Sequence, residues 1–186
     1  GQPDLLAQRP LDGGDEVRDA GVVVLGHQLG PAHGAGFAHT REVVALSLSE
    51  LQRHRVVVQS ELADDPPTIT GDRVQLQQVI LNLLRNASDA MAGVHDRPRQ
   101  LLIRTGREGG DRVRVTVRDV GKGFERQSID KLFDAFYTTK SDGMGIGLSL
   151  SRSIVERHHG RLWAETNEGP GATFAFSIPG GADSVR

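Results

Sequence analysis

Residues 72–91 constrain the fold of this chain more than any other stretch, because their polar and apolar side chains separate at helical spacing. One broad face would be apolar and suited to burial: Leu76, Val79, Ile80, Leu83, Leu84, Ala87 and Met91. A narrow stripe beside it carries amide and carboxylate oxygens: Gln75, Gln78, Asn82, Asn86 and Asp89. Asp72 is placed to cap this helix, with Gln75 closing a capping box, and Gly93 marks its end. The stretch therefore predicts a buried helix with an oxygen-rich edge, and an ordinary solvated edge is the alternative.

Length, charge and cysteine content exclude several classes of protein. The 186 residues suffice for one well-buried domain and a flank. A net charge of −2 provides no overall field for capturing nucleic acid or an anionic membrane, so neither is expected as a partner. The absence of cysteine excludes disulfides and thiolate metal sites. The longest apolar run near the N-terminus, residues 22–25, is far too short to span a membrane, and a cytoplasmic location is expected.

The chain divides into a leader, one domain and a tail. Residues 1–39 contain eight glycines and three prolines and are expected to be a poorly structured leader. The domain is expected over residues 40–180, and residues 181–186 form the tail.

Within the domain, strand-like and helix-like spacings follow one another. The predicted elements around the central helix are a helix over 40–53, a strand from Val56, a turn at 64–67, a hairpin turning at 109–111, a helix over 146–159, and closing strands over 161–166 and 172–178. The helix over 146–159 is expected to bury Ile146, Leu150 and Ile154. Elements in this order predict an α+β fold, a two-layer α/β sandwich.

A carboxylate and two glycines end one predicted strand, in the sequence Asp119-Val120-Gly121-Lys122-Gly123. Glycines let the backbone approach a planar ligand closely. A carboxylate at a sheet edge can accept a hydrogen bond from an exocyclic amine such as that of adenine. A plain Asp-Gly turn has the same composition, so the motif is weak by itself.

Three alternate glycines, Gly143, Gly145 and Gly147, lead directly into the second predicted helix. Free N–H groups and the dipole at a helix N-terminus favour an anion. Lys140 lies just upstream and could reach a terminal phosphate. Because lysine does not follow the last glycine, this is not a Walker loop. A flexible linker is the alternative interpretation.

Together these motifs resemble the catalytic, ATP-binding domain of bacterial sensor histidine kinases, in the superfamily that includes gyrase, Hsp90 and MutL. The N box of that family is matched by NLLRNASDA, its first glycine box by DVGKGF and its F box by KLFDAFYTTK. Its later glycine boxes are matched by GMGIGLSLSRSIVERHHGRLWAE and GPGATFAFSIP. The resemblance covers about residues 42–179 and is closest to PAS-linked and nitrogen-regulatory-type kinases. It implies a Bergerat-type ATP-binding fold, with a mixed sheet and helices on one face.

The resemblance implies ATP and Mg²⁺ as cofactors and assigns roles to individual residues. Asn86 would ligate Mg²⁺, assisted by Asn82. Asp119 would bind the adenine amino group, supported through water by Thr173. Lys140 would contact the terminal phosphates, so Asn86 and Lys140 are the implied catalytic residues. The full set of implied nucleotide-binding residues is Asn82, Asn86, Asp89, Asp119, Gly121, Gly123, Thr139, Lys140, Gly143, Gly145, Ile146, Gly147, Leu148 and Thr173.

The resemblance also implies a kinase rather than a hydrolase. The related ATPases hold Glu, a general base for water, at the position of Asn82, and an amide cannot take that proton at neutral pH. The γ-phosphoryl group of ATP would then pass to a histidine on a separate dimerisation segment, with a response regulator downstream. Many histidine kinases carry a basic residue where this chain has Asp89, and Lys140 would supply that charge. The alternative is a non-catalytic nucleotide-binding module, a pseudokinase or truncated remnant, whose lid responds to ATP or ADP.

The phosphoacceptor histidine remains unknown. The stretch His27–Pro31 is only a faint echo of the family's acceptor motif, because its proline comes one position too early among glycines. Four other histidines are expected to be ordinary surface residues: His54, His95, His158 and His159. Residues 1–39 do not resemble the dimerisation hairpin, so a monomer is expected unless such a hairpin is supplied.

Overall fold

Five strands, two helices and two short 3₁₀ turns make up the part of the chain that the structure describes. The structure is a computed structural model, which describes residues 51–63, 69, 71–138 and 144–180. Its elements are β1 (Val56–Glu61), α1 (Arg73–Ala90), β2 (Arg99–Glu108), β3 (Arg112–Asp119), the 3₁₀ turns Arg126–Ser128 and Asp130–Phe133, α2 (Gly147–Arg157), β4 (Arg161–Thr166) and β5 (Ala172–Pro179). Residues 51–53 are also helical. The predicted leader, the turn at 64–67 and the tail lie outside the described residues.

The strands form one sheet in the order β1-β2-β3-β5-β4. Strands β1 and β2 are parallel, whereas the other three pairs are antiparallel. A parallel pair needs a crossover connection, and α1, which lies between β1 and β2 in the chain, provides it. The predicted mixed sheet and α+β class are confirmed.

The hydrophobic core lies between one face of this sheet and the two helices. Every residue of the predicted apolar face of α1 is buried. On β3, the side chains of Val113, Val115 and Val117 are buried against the helices, while the residues between them are half-buried or exposed. This alternation places the helices on one face, as expected for a two-layer sandwich. Among the described residues, no helix combines the length and the apolar character needed to cross a membrane.

The ends of α1 differ in part from the prediction. The Asp72 carboxylate accepts from the backbone N–H groups of Val74 (2.9 Å) and Gln75 (3.1 Å), so the N-cap is confirmed. The predicted capping box is wrong, because the Gln75 amide donates to the Asp72 carboxylate and does not accept the Asp72 backbone N–H. The Asp72 N–H donates to His158 Nε2 (3.0 Å). At the other end the cap is Met91, two residues before the glycine that was expected to end the helix.

Two histidines expected to be ordinary surface residues make structural contacts. His158 accepts from the start of α1 through Nε2, and its Nδ1 lies 2.8 Å from the Ile154 carbonyl oxygen. The ring therefore joins the C-terminal end of α2 to the N-terminal end of α1. His54 Nδ1 is hydrogen-bonded to Ser88 Oγ at 2.8 Å. His54 is exposed as expected, whereas His158 is half-buried. Neither contact follows from the local sequence, because the partner is 86 residues away for His158 and 34 residues away for His54.

Helix α2 is rotated relative to its predicted orientation. Ile154 is buried as expected, but Ile146 is 39% exposed and Leu150 is 42% exposed. Ser151 is buried in their place, because this side of the helix faces a polar part of α1. The predicted apolar stripe of α2 is therefore wrong at two of its three positions.

The outer face of the sheet is covered by its own long side chains. The Trp163 ring lies 4.8 Å from the Arg114 guanidinium and 4.4 Å from that of Arg161, within cation–π range. Arg112 donates through Nε to Ser177 Oγ (2.8 Å), which is fully buried. The alternating arginines of β3 thus pack the outer face of the sheet, on which no helix lies among the described residues.

Candidate functional site

Asp119 is a buried carboxylate at the end of the central strand β3. Its side chain is 1% exposed, and Oδ1 accepts the Gly121 N–H at 2.7 Å. Burial raises the pKa of Asp119 to about 6, although hydrogen bonds from the backbone N–H groups of Gly121 and Ala172 act in the opposite direction. A carboxylate offers about four acceptor positions. It can therefore accept these two bonds and still accept one from a ligand.

The backbone around Asp119 is held by two residues that the sequence did not reveal. Asn167 donates from Nδ2 to the Asp119 carbonyl oxygen (2.9 Å). Arg97 donates from Nε (3.2 Å) and Nη2 (3.1 Å) to the carbonyl oxygen of Val120, the next residue. Asn167 is 48 residues from Asp119, and Arg97 is 23 residues from Val120, so neither forms a recognisable motif with Asp119. Only the fold brings them together.

Thr173 contacts Asn167, not the Asp119 carboxylate. Its hydroxyl donates to Asn167 Oδ1 at 2.7 Å. Residue 173 is paired with Arg118 and Glu165 across the sheet, which places it on the outer face. Thr173 therefore contacts the residue that holds the Asp119 backbone.

The segment after Asp119 lies against the last turn of α1. The Lys122 N–H donates to the Ala90 carbonyl oxygen at 3.1 Å. A Cβ atom added at Gly121 would lie 2.6 Å from that oxygen, so no larger residue fits without a shift of the backbone. This contact places Asp119 beside the end of α1 that carries Asn86 and Asp89, both half-buried.

The start of α2 lies against the middle of α1. Asn82 donates from Nδ2 to Ser151 Oγ at 2.9 Å. A Cβ atom added at Gly147 would lie 2.5 Å from Asn82 Oδ1. The glycine thus allows the helix N-terminus to approach the amide stripe closely, which is the arrangement expected for an anion site next to hard oxygen ligands.

The glycine loop is also joined to the predicted F box. The Phe136 N–H donates to the Gly145 carbonyl oxygen at 2.9 Å. Both residues have positive φ, +68° for Phe136 and +66° for Gly145. The Phe136 side chain is left largely exposed. The described end of the F box is therefore in contact with the residue two positions before α2.

Helix α1, which carries the polar stripe, is the common neighbour of the other two motifs. It contacts the Asp119 segment through Ala90 and the start of α2 through Asn82. Ile146 is exposed beside it, and Leu148 is half-buried against the core. Three predicted site residues, Thr139, Lys140 and Gly143, lie outside the described residues.

The residues that form this arrangement match the model of a known protein family. The family model for histidine kinase-, DNA gyrase B- and HSP90-like ATPases matches residues 71–182, which contain α1, Asp119 and the start of α2. The chain belongs to this ATPase family. Domains of the family bind ATP, so the site that the three motifs form is a candidate ATP site.

Relatives of this ATPase-family chain are sensor kinases. The sensor protein FixL of Bradyrhizobium diazoefficiens is 44% identical over 138 residues, which cover 74% of this chain and 27% of FixL. The chain thus spans about a quarter of that relative's length. The catalytic domain of the histidine kinase ThkA has a TM-score of 0.68 at 30% identity, covering 77% of this chain and 91% of that one. ThkA in complex with the response regulator TrrA gives 0.65 at 28% identity, covering 79% and 41%.

The donor chemistry of the site suits a magnesium nucleotide. In the ranges that the structure describes, no group of three or more His, Cys, Asp or Glu side chains could hold a metal ion. Mg²⁺ bound with a nucleotide usually keeps several waters and phosphate oxygens and takes only one or two oxygens from the protein. The amide oxygens of Asn82 and Asn86 are ligands of that hard type.

Proposed function

We propose that this chain is the MgATP-binding catalytic domain of a two-component sensor histidine kinase. It transfers the γ-phosphoryl group of ATP to a histidine on a separate dimerisation segment. The observation that carries the proposal is the position of α1: its last turn contacts the segment that follows the buried Asp119 through the Ala90 carbonyl oxygen, and Asn82 of its amide edge lies against Gly147 at the start of α2. We infer that adenine, the metal and the phosphates bind at neighbouring positions along this helix.

In this proposal the nucleotide lies along the polar stripe of α1. Asp119 accepts the adenine amino group, Asn86 ligates Mg²⁺ with help from Asn82, and Lys140 contacts the terminal phosphates. The remaining members of the site surround the base and the triphosphate: Asp89, Gly121, Gly123, Thr139, Gly143, Gly145, Ile146, Gly147 and Leu148. Thr173 acts indirectly, because its hydroxyl is bonded to Asn167.

The chemistry at Asn82 favours transfer over hydrolysis. Its amide nitrogen donates to Ser151, and an amide cannot remove a proton from water at neutral pH. Phosphoryl transfer is catalysed mainly by positioning and by neutralising charge on the phosphates. The site therefore holds MgATP until the imidazole of the acceptor histidine attacks the γ-phosphorus and ADP leaves.

The surface beside the site suits a helical acceptor segment. The exposed large apolar side chains of the described residues are all on the helices or next to the glycine loop: Val74, Leu81, Phe136, Met144, Ile146 and Leu150. In this proposal the acceptor segment packs its apolar face against the exposed side chains next to the glycine loop. ThkA has been solved with a response regulator, which supports a response regulator as the downstream partner. Phosphotransfer of this kind would take place in the cytoplasm.

Binding and transfer can be tested separately. Calorimetry with ATP, with and without Mg²⁺, measures binding by the full chain. Labelled ATP is then added together with the dimerisation hairpin of a related kinase. Acid-labile, base-stable label on the hairpin supports the kinase. Binding without label on the hairpin indicates the non-catalytic module, and rapid release of free phosphate indicates a hydrolase. Asn86→Ala is the control that should abolish Mg²⁺-dependent binding.

A further inference from the structure

We propose that Arg97 and Asn167 are positioning residues that give the Asp119 carboxylate its preference for adenine over guanine. The proposal rests on the proposed function, in which Asp119 binds the nucleobase. Neither residue belongs to the motifs that carry the family resemblance. Both act on the backbone of Asp119 and Val120, where two consecutive carbonyl oxygens are held from two different loops.

A carboxylate alone does not select adenine. Adenine offers one amino group to it, whereas guanine has a carbonyl oxygen at the equivalent position. Guanine also carries a ring N–H next to an amino group, and this pair of donors matches the two oxygens of a carboxylate. A carboxylate that is free to shift relative to the bound base can therefore accept guanine through this pair of donors. Exclusion of guanine requires that the carboxylate be held in a fixed position.

Asn167 uses both ends of its amide to hold the residue. The Nδ2 group donates to the Asp119 carbonyl oxygen (2.9 Å) and to that of Pro170 (3.0 Å), while Oδ1 accepts the Thr173 hydroxyl (2.7 Å). The opposite amide orientation would place Oδ1 against two carbonyl oxygens, so the surroundings determine the orientation. The β4–β5 loop is thereby tied to the end of β3.

Arg97, which precedes Asp119 in the chain whereas Asn167 follows it, holds the next peptide group. It lies in the loop between α1 and β2, and both Nε and Nη2 donate to the Val120 carbonyl oxygen. Its Nη1 donates to Asp96, which keeps the guanidinium in place. With both carbonyl groups held, the Asp119 peptide cannot rotate without breaking these bonds. The carboxylate also receives N–H groups from Gly121 and Ala172, so its direction follows from the backbone.

The test is the ratio of the dissociation constants for MgGTP and MgATP, measured by calorimetry on the full chain. Asn167→Ala and Arg97→Ala should each lower this ratio at least tenfold, with ATP affinity reduced and GTP affinity unchanged or increased. Arg97→Lys retains one donor for the Val120 oxygen and should restore part of the ratio. The matched control is Arg104→Ala, which removes an exposed arginine paired with Glu61 at the far side of the sheet and should leave the ratio unchanged.

The proposal is overturned if the folded Asn167 and Arg97 variants lose affinity for both nucleotides equally, since that is the effect of a purely structural role. Should either alanine variant not fold, Thr173→Val, which frees the Asn167 amide without removing it, must lower the ratio about threefold. Asp119→Asn distinguishes failure of the positioning role from failure of the assignment of Asp119 to adenine. If it abolishes the preference for ATP while the positioning variants do not, only the positioning role fails. If it leaves the preference unchanged, the assignment of Asp119 as the adenine-binding residue fails as well.

Discussion

The buried Asp119 should make the nucleotide-free domain less stable as the pH rises, and Asp119→Asn should remove that loss. Its pKa is raised from 3.8 to about 6 by burial. Folding therefore favours the protonated carboxyl group. The contribution of this group to the free energy of unfolding is fully present below pH 3.8 and is lost as the pH rises through about 6. A shift of about two units corresponds to about 3 kcal/mol at 1.36 kcal/mol per unit. Relative to the parent chain, the Asn variant should gain about 2 kcal/mol between pH 4 and pH 8, because part of the full contribution is already lost at pH 4.

The assay is urea unfolding without nucleotide, followed by the fluorescence of Trp163, the only tryptophan of the chain. Each protein is measured from pH 4 to pH 8. All other groups titrate in both proteins, so the difference in unfolding free energy between them isolates Asp119. The Asn side chain can still accept the Gly121 N–H, which keeps the fold intact. A difference that changes by less than about 0.5 kcal/mol over this range would refute the reasoning that burial raises this pKa.

Three other substitutions test the geometry, each with the unfolding assay and ATP calorimetry. Gly171→Ala should lower the free energy of unfolding by about 1–3 kcal/mol and weaken ATP binding, because φ is +91° and a Cβ would overlap the carbonyl oxygen that ends β3. The control Gly169→Ala, at a position with open space in the same loop, should change neither stability nor ATP binding. Asn86→Ala should abolish Mg²⁺-dependent affinity and leave the domain folded; unchanged MgATP binding would remove it from the site. His158→Ala should cost about 1 kcal/mol through the lost bond to the start of α1, whereas the exposed His95 should tolerate alanine, and equal effects would contradict this role.

The parts of the fold that follow from local periodicity were predictable from the sequence. The apolar face of α1 and the alternating valines of β3 are buried as their spacing indicates. The predicted N-cap at Asp72 also formed, because a cap needs only the next three residues. The order of the motifs along the chain was enough to indicate the family before any coordinates.

Contacts between distant residues were not predictable, because no local pattern encodes them. Ile146 and Leu150 have the spacing of a buried stripe, yet α2 meets α1 through Asn82 and Ser151, and the apolar pair is left exposed. The same reason explains why His158 was taken for a surface residue. Spacing along one helix says which residues share a face, but the partner element decides whether that face is buried.

The departures from ordinary folding rules lie close to the candidate site. A carboxylate is buried at a cost of about 3 kcal/mol when ionised, and apolar side chains such as Ile146 and Leu150 remain exposed next to the start of α2. Each is unfavourable for the isolated fold, and each has a use if a ligand or partner binds there: the charge meets the adenine amino group, and the apolar surface meets the acceptor segment. Because sequences tend to break local rules where function requires it, these two features support the same site as the motifs do.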